Sequence, residues 1–570
     1  ASTYTGQTTI LAGGELTLGY NTSPASITSN VSVAPEGSLS GVGAVLADVT
    51  NAGSVTGGML TVSGNVANTG SFSARRVAGN FYNGVDGNVD VISVGGNVTN
   101  QGTFSSPTIE GSLTNHGTLL IQQTDSVGGD FLQAEDGRLV VTAGASGSSS
   151  RLVIAGKATL VGGSTLVLAD PGNYAPLTRY TILTADGGVS GRFDDATTTL
   201  SFLDPVLSYT GNAVELRLER NDISFASAAK TPDQHAAAGA VETLGFASPA
   251  YTALAFLDAA QIPSALDQLS GQLHASTQTA LLNDSRKLRE AVEDHVEQSA
   301  AGGIWTSGWG HWGRADSSAV DTLRSNGSGM LVGGDLPLGS VSRIGVAGGV
   351  GQTSLSLDGS NASAHATGTH VAVYGATQAG AVDLQAGGAY SWQDVDSTRR
   401  LAFGTYEDAS YASYHARTAQ AYVDAGWHIA MDDRRYLEPY IDAAHARLRT
   451  EGFTESSSAA ALNVKGNTTS QTIGSLGLRG GWRSADGIDL HASLAWRHIW
   501  GSLTPSSVNQ FVAGGPSFTV DGASSRHNVG VATLGLDFPL GRTTTVNVDY
   551  QGQFGGVRDQ GARASLAIAL

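Results

Sequence analysis

From Gly302 onward the chain is a series of segments about 10–18 residues long in which apolar and polar side chains alternate, each broken by a turn rich in Asp, Gly, Ser or Asn. Alternation with a period of two demands an extended backbone, because only a strand puts every second residue on one face. In "AVDLQAGGAYSWQD", Val382, Leu384, Tyr390 and Trp392 share a face opposite Asp383, Gln385, Ser391 and Gln393. In "GIDLHASLAWRHIWGS", Ile488, Leu490, Leu494 and Trp496 oppose Asp489, His491, Ser493 and Arg497. In "TTTVNVDYQGQF", Val546, Val548 and Tyr550 oppose Asn547, Asp549 and Gln551. The chain closes on "RASLAIAL", where Leu566, Ile568 and Leu570 alternate with Ser565, Ala567 and Ala569. A soluble sandwich would alternate too. Here the strands are long enough to cross a bilayer when tilted, Tyr and Trp lie near several segment ends, and the second face is polar or small. Those features predict an antiparallel transmembrane β-barrel of about twelve strands over residues 302–570.

No tryptophan precedes Trp305. The stretch "GGIWTSGWGHWG" is predicted to end a helix on its glycines and open the first barrel strand. Trp305 and Trp309 then share one face. With Trp392, Trp496 and Trp500 they are expected in the interfacial girdle, where an amphipathic ring is favoured. Trp312 falls on the opposite face or at a bulge.

The first half differs. Residues 1–149 are mostly small and polar, and a motif recurs: Asn51-Ala-Gly-Ser, Asn68-Thr-Gly-Ser, Asn100-Gln-Gly-Thr and Asn115-His-Gly-Thr, with a weaker Asn83-Gly84 between. The spacing of roughly 16 residues, with short alternating runs such as "MLTVSG", predicts a one-dimensional stack of β rungs. Each Asn-x-Gly is read as a tight corner, combining a residue tolerant of left-handed backbone with one lacking a Cβ. Regular alternation of Val and Leu is not what a solvated low-complexity coat needs. Residues 150–222 are richer in Leu, Tyr and Phe, which suits a cap over the open end of the stack.

Residues 223–301 read as a helical linker. Thr231-Pro232-Asp233-Gln234 offers a capping box, Ser248-Pro249 opens a second helix, and residues 276–298 form the longest helical candidate. Its apolar stripe is thin: Leu281, Leu288, Val292 and Val296. Arg286, Lys287 and Arg289 precede Glu290 and Glu293, giving Arg286–Glu290 and Arg289–Glu293 pairs in an order opposed by the helix dipole. A helix polar on nearly all sides either crosses solvent or lies in a polar lumen.

Other classes are excluded by composition. A net charge of −18 opposes nucleic-acid binding, and the absence of cysteine removes disulfides and thiolate chemistry. No apolar run is long enough for a transmembrane helix, and the first residues lack the pattern of a signal peptide. Neither a Walker loop, a G-x-S-x-G elbow nor H-E-x-x-H occurs, so this chain is expected to be non-enzymatic, without cofactor or metal.

Four stretches in this order resemble the type V autotransporters of Gram-negative bacteria: "TYTGQTTILAGGELTLG" (Thr3–Gly19), residues 150–220, "IPSALDQLSGQLHAS" (Ile262–Ser276), and the first and last barrel strands. The resemblance implies a parallel (right-handed) β-helical passenger, an autochaperone region at residues 150–222, and a helix retained in a monomeric outer-membrane barrel. It also implies insertion by the barrel assembly machinery with periplasmic chaperones, guided by Leu566, Ile568 and Leu570. The family commonly ends in Phe or Trp, whereas this chain ends in Leu570. Asn283-Asp284 falls close to the asparagine pair at which some members cut themselves, making it a candidate autocleavage site. The leading expectation is an export barrel carrying an adhesin-type passenger that contacts a host or a neighbouring cell. The alternatives are the C-terminal part of a longer surface enzyme, such as a subtilisin-like protease or an esterase, and a plain porin. The start at Ala1 inside a repeat favours some truncation.

Overall fold

The computed structural model describes residues 6–19, 23–170, 174–175, 177–298, 302–315, 321–485, 487–555 and 557–569. The start of the Thr3–Gly19 motif and Leu570 lie outside these residues. The chain divides into two units, residues 1–223 with 252–259 and residues 224–251 with 260–570.

The first unit is a β-helix. One wall is a parallel ladder of ten three-residue strands, running from Thr8–Ile10 to Val189–Gly191. The remaining wall is carried by longer strands such as Ser71–Val77 and Asn88–Val94. At the next rung the latter meets two separate strands, Thr103–Ser105 and Thr108–Ile109. Inward positions are Val, Leu, Ile and Phe, and Phe72, Phe81 and Phe104 stack edge-on through successive rungs at 5.2 and 5.5 Å.

The recurring asparagines are not left-handed corners; among the described residues none of them has positive φ. Each ends a three-residue strand with its side chain buried, directly above its counterpart in the previous rung. Asn51, Asn68, Asn83, Asn100 and Asn115 each donate an amide hydrogen bond to the next, the last to Gln133, at 2.7–3.0 Å. The glycines that follow are needed because rungs approach closely. A Cβ on Gly70, Gly102 or Gly117 would lie 2.1–2.2 Å from a carbonyl oxygen of the rung below. A second ladder runs along the exposed edge, where Asp48, Asn65, Asn80 and Asn97 each accept from the backbone N–H of the next rung at 2.7–2.9 Å.

At the C-terminal end the parallel order stops. Ala213–Arg220 pairs antiparallel with Arg179–Ala185, and Leu203–Tyr209 pairs antiparallel with Ala213–Arg220. This hairpin occupies a ladder edge that would otherwise be open.

The second unit is a closed antiparallel barrel. Its wall runs through Gly303–Ala315, Leu323–Leu338, Ser342–Leu357, Ala362–Ala379, Val382–Phe403, Tyr406–Trp427, Arg435–Thr450, Asn467–Arg483, Asp489–Gly501, Asn528–Pro539, Thr544–Phe554 and Val557–Ala569. Ile429–Asp432 extends the sixth of these past His428, so the wall has twelve strands. The first and last pair over residues 303–315 and 557–569, which closes the ring. Four helices precede it: α1 (Pro232–Glu242), α2 (Pro249–Ala255), α3 (Ile262–Ser270) and α4 (Gln272–Gln298). The Thr231 capping box is formed, and α3 ends on the left-handed Gly271. No described helix is long and apolar enough to cross a membrane.

Two measurements test the β-helix. Asn83→Ala strips Asn68 and Asn100 of buried partners and should cost about 2–4 kcal/mol, read as a lower urea midpoint for proteolysis of the β-helix in the full chain. Asp125, buried in the strand Thr124–Val127, has its carboxyl pushed up to about 6 by burial, against the pull of backbone hydrogen bonds from Gln122 and Gln123. Its folded-state pKa lies above the unfolded value, so its contribution to stability falls as pH rises from about 4 to 6 and stays unfavourable above that. Asp125→Asn should therefore raise the urea midpoint at pH 7 and flatten its pH dependence between those limits.

Candidate functional site: the helix-filled lumen

Helix α4 spans 27 residues and begins four residues before the expected start. Arg286, Lys287, Arg289 and Glu290 are buried together with its apolar side chains, while Glu293 and Asp294 are half-buried and Glu297 is exposed. The lumen explains this. The thin stripe of Leu288, Val292 and Val296 packs with Trp305, Trp309, Leu331, Ala347, Ala372 and Tyr374 on one side of the wall. The charged face meets the strands that end the chain.

There the charges interlock. Arg286 reaches Asp559 at 2.7 Å and Glu290 at 3.4 Å. Lys287 lies 3.5 Å from both Glu290 and Asp559 and donates to Gln551 at 2.6 Å. Glu290 also accepts from Arg497 of the wall at 3.0 Å. Nearer the C-terminus of α4, Glu297 pairs with Arg479 at 2.6 Å and Asp294 with Arg563. Arg289 approaches Glu293 at 3.3 Å without hydrogen-bond geometry. The two pairs expected within the helix therefore exist, but they are buried and shared with the wall. Their energetics follow buried ion pairs, not the few tenths of a kcal/mol of exposed ones. The basic-then-acidic order that the helix dipole opposes is matched by the wall: carboxylates face the first half and guanidinium groups the second.

The ends of α4 are locked as well. Near its C-terminus, His295 stacks on Trp305 at 4.4 Å and contacts Asp335 at 3.1 Å, while Arg343 donates to the Val296 carbonyl. Near its N-terminus, His274 contacts Glu455 at 2.8 Å; Arg399 donates to both oxygens of Glu455 at 2.6–2.7 Å and to the Gln268 carbonyl at 2.7 Å. Burial opposes ionisation of Glu455, yet the Arg399 charge and the hydrogen bonds from Arg399 and His274 hold its carboxyl well below the usual range. Glu455 lies in the long connection 451–466, part of which pairs with Ser506–Phe511, itself paired with Phe518–Asp521, in a small separate sheet. Sequence reasoning missed this triad, because nothing local links Arg399, His274 and Glu455.

The tryptophans correct an expectation. Trp305 and Trp309 face inward, 1% and 8% exposed, and are not girdle residues; Trp312 faces outward at 52%. Trp305 lies opposite Gly333 and Trp309 opposite Gly329, where an added Cβ would stand 2.3–2.4 Å from the indole. Glycine lets each ring lie flat on the wall, and Tyr374, Tyr422 and Tyr440 do the same over Gly345, Gly387 and Gly477. At these positions the glycine serves an inward aromatic ring. Trp392, Trp496 and Trp500 are exposed as expected, as are Trp427 and Trp482, which sit beside short turns and were not singled out. Helix α4 is described as far as Gln298 and Gly303 is already strand; the expected stop falls next to residues 299–301, outside the described residues. Asn283 is half-buried in mid-helix, and Asp284 is buried 3.4 Å from His311. Ile568 faces outward, opposite Ile304 on the closing strand. One group of metal-ligand type, Asp383, His428 and Glu438, gathers its ligand atoms within 4.8 Å of one another; Arg479, 3.1 Å from Glu438, already supplies positive charge there.

A twelve-stranded barrel with an apolar outer wall and a charged helix along its lumen defines a class, the outer-membrane translocator of a secreted segment. Residues 304–551 match the autotransporter β-domain, and the barrel of this chain belongs to that family. Two extracellular serine proteases of Serratia marcescens are each 30% identical to this chain, over 433 and 431 residues and 66% of its length. The chain spans 41% of the length of these relatives. The translocator domain of the autotransporter NalP from Neisseria meningitidis is 17% identical, with a TM-score of 0.44 over 53% of this chain and 100% of that one. The barrel resides in the outer membrane, and the N-terminal segment is its exported passenger.

Glu290 tests the lumen network. Glu290→Gln keeps the shape but leaves Arg286, Lys287 and Arg497 short of counter-charge, at about 3–5 kcal/mol. The expected result is a lower temperature for loss of the folded, SDS-resistant band, with partial recovery when Arg497→Met is added.

Proposed function

We propose that this chain delivers its β-helix to the cell surface and stays anchored there through α4, with the β-helix acting as a non-enzymatic contact module toward a host or neighbouring cell. The observation that carries the reading is a buried, charge-matched helix joining an exported fold to a closed barrel. Insertion would use the barrel assembly machinery and periplasmic chaperones, which would read the closing strand that ends Leu566, Ile568 and Leu570. The Asn283–Asp284 bond stays intact on this reading, since α4 holds Asn283 in helical backbone and His311 engages Asp284.

The serine-protease relatives support a second reading, in which a catalytic segment precedes the β-helix in the whole protein. One experiment addresses both. Cells displaying the whole protein are shaved with an external protease, and the released and retained pieces are sequenced and tested with a serine-hydrolase probe. The expected outcome is release of the β-helix, no labelling of it, and a retained barrel whose N-terminus precedes Asn283. A natural N-terminus at Asp284 would overturn the anchored reading, and a labelled surface fragment would favour the second.

A further inference from the structure

The rim of the barrel with the short turns, such as 379–382 and 432–435, gathers three side chains that export does not use. Asp383 stands near the start of the fifth wall strand, His428 directly follows the sixth, and Glu438 lies in the seventh. The pairings Gly426–Tyr440 and Ile429–Leu437 bracket His428 and Glu438, which therefore face each other across the sheet. On the other side of the sixth strand, Asp383 is opposite Gly426. One ligand atom from each of the three lies within 4.8 Å of the others, and His428 Nδ1 is 3.6 Å from Glu438 Oε2.

The surroundings build this group. A Cβ on Gly426 would stand 2.0 Å from Glu438 Oε1, so the glycine leaves the space into which the Glu438 carboxylate leans toward Asp383 and His428. The imidazole lies along the Tyr436 ring at 4.9 Å and 25°, which fixes its plane. Glu438 is buried, and Asp383 and His428 are half-buried. Charge is out of balance here. The Arg479 guanidinium serves Asp424 at 2.8 Å, Glu297 at 2.6 Å and Oε1 of Glu438 at 3.1 Å. Glu438 Oε2 is left turned toward His428. Among the described residues, Asp383 has neither a hydrogen bond nor an ion pair through its side chain. One guanidinium is thus shared by three carboxylates while a fourth stands beside them, and two further ligand atoms point the same way.

We propose that Asp383, His428 and Glu438 are a zinc site, formed by His428 Nδ1 and one oxygen from each carboxylate, with water in the fourth position. Zinc holds nitrogen and oxygen ligands tetrahedrally at about 2.0–2.2 Å, which sets neighbouring ligands about 3.4 Å apart. The His428–Glu438 pair is already close to that spacing, and rotation of the Asp383 side chain brings in the third ligand. An imidazole with two carboxylates suits zinc, whereas magnesium and calcium take oxygen alone. The ion supplies the missing positive charge and ties the fifth, sixth and seventh strands together at one rim. Glu438 keeps Arg479 on its other oxygen, so the ion is linked through Arg479 to Glu297 at the end of α4. An ion that binds only the folded barrel stabilises it by mass action.

The test uses the full chain folded in neutral detergent, stripped of metal with EDTA and titrated calorimetrically with Zn2+, Mg2+ or Ca2+. Zn2+ should bind one to one and raise the temperature at which the folded, SDS-resistant band is lost; Mg2+ and Ca2+ should do neither. Absence of saturable Zn2+ binding, or an equal response to Mg2+, overturns the site. His428→Phe keeps a ring over Tyr436, and Asp383→Asn keeps the shape of the side chain. Each should weaken Zn2+ binding about a hundredfold, the upper end of what loss of a residue behind the ligands costs. The outer-wall pair His415→Phe with Asp394→Asn removes the same two groups from an exposed contact of 2.6 Å and should leave binding unchanged. Equal loss in the inner and outer variants, or none in the inner ones, overturns the site. On the unaltered chain, zinc-edge X-ray absorption should show four nitrogen or oxygen ligands at about 2.0–2.2 Å, one of them imidazole. A shell with no imidazole, or with several, overturns the assignment without any variant.

Discussion

Strand edges favour a partner, and that preference shapes both units. In the β-helix each rung completes the backbone hydrogen bonds of the one before it, and the antiparallel hairpin 203–220 takes an edge where the parallel order ends. In the barrel, Gly303–Ala315 meets Val557–Ala569, so the wall has no edge at all. The reason is stronger in the second case, because hydrocarbon offers no water to satisfy an exposed N–H or C=O. Closure in turn creates a lumen, and the lumen creates an electrostatic problem.

That problem is solved by reciprocity. A wall facing lipid outside must direct its polar residues inward, where Asp549, Asp559 and Arg497 are buried and Arg479 and Arg563 half-buried. Left to themselves such groups would be costly to bury. Helix α4 adds counter-charges in a matching order, cations opposite Asp559 and anions opposite Arg479 and Arg563. The apolar side of the helix needs only a narrow stripe, because aromatic rings laid over glycines already smooth that part of the wall. The wall pairs Arg479 with Asp424 and Glu438 and Arg563 with Asp549, and the helix joins these pairs into one network.

The sequence showed the periods plainly and the directions poorly. Alternation revealed the barrel, the approximate strand number and which residues of Val382–Phe403 share a face, since a period of two is a local property. The polarity of residues 276–298 likewise pointed to a lumen. The facing of Trp305 and Trp309 was misread, because alternation separates two faces without saying which is inner. The deciding signal lay across the sheet, in Gly329 and Gly333 opposite the rings. The asparagine repeat was found at its correct spacing, but its reason was misassigned: the pattern of an internal amide ladder and that of a left-handed corner look alike in one dimension. The Arg399–Glu455–His274 triad left no trace, since its members are separated by 56 and 181 residues.

The amide ladder also bears on how such a stack can form. Asn83 can satisfy its side chain only when Asn68 and Asn100 are both in place, and the same holds at each internal step. A partly built stack thus carries an unsatisfied amide at its growing end, and each added rung satisfies one amide while exposing another. The polar term is nearly constant as the stack grows, so net gain per rung comes from burial of residues such as Phe81 and Phe104 against their neighbours. What must differ is the start, where the first rung has nothing to stack on. Gln133 ends the amide series, and beyond it the rungs carry Leu, Tyr and Phe and meet the hairpin. A cap that closes its own edge and needs no amide partner is the part of the stack best suited to form first.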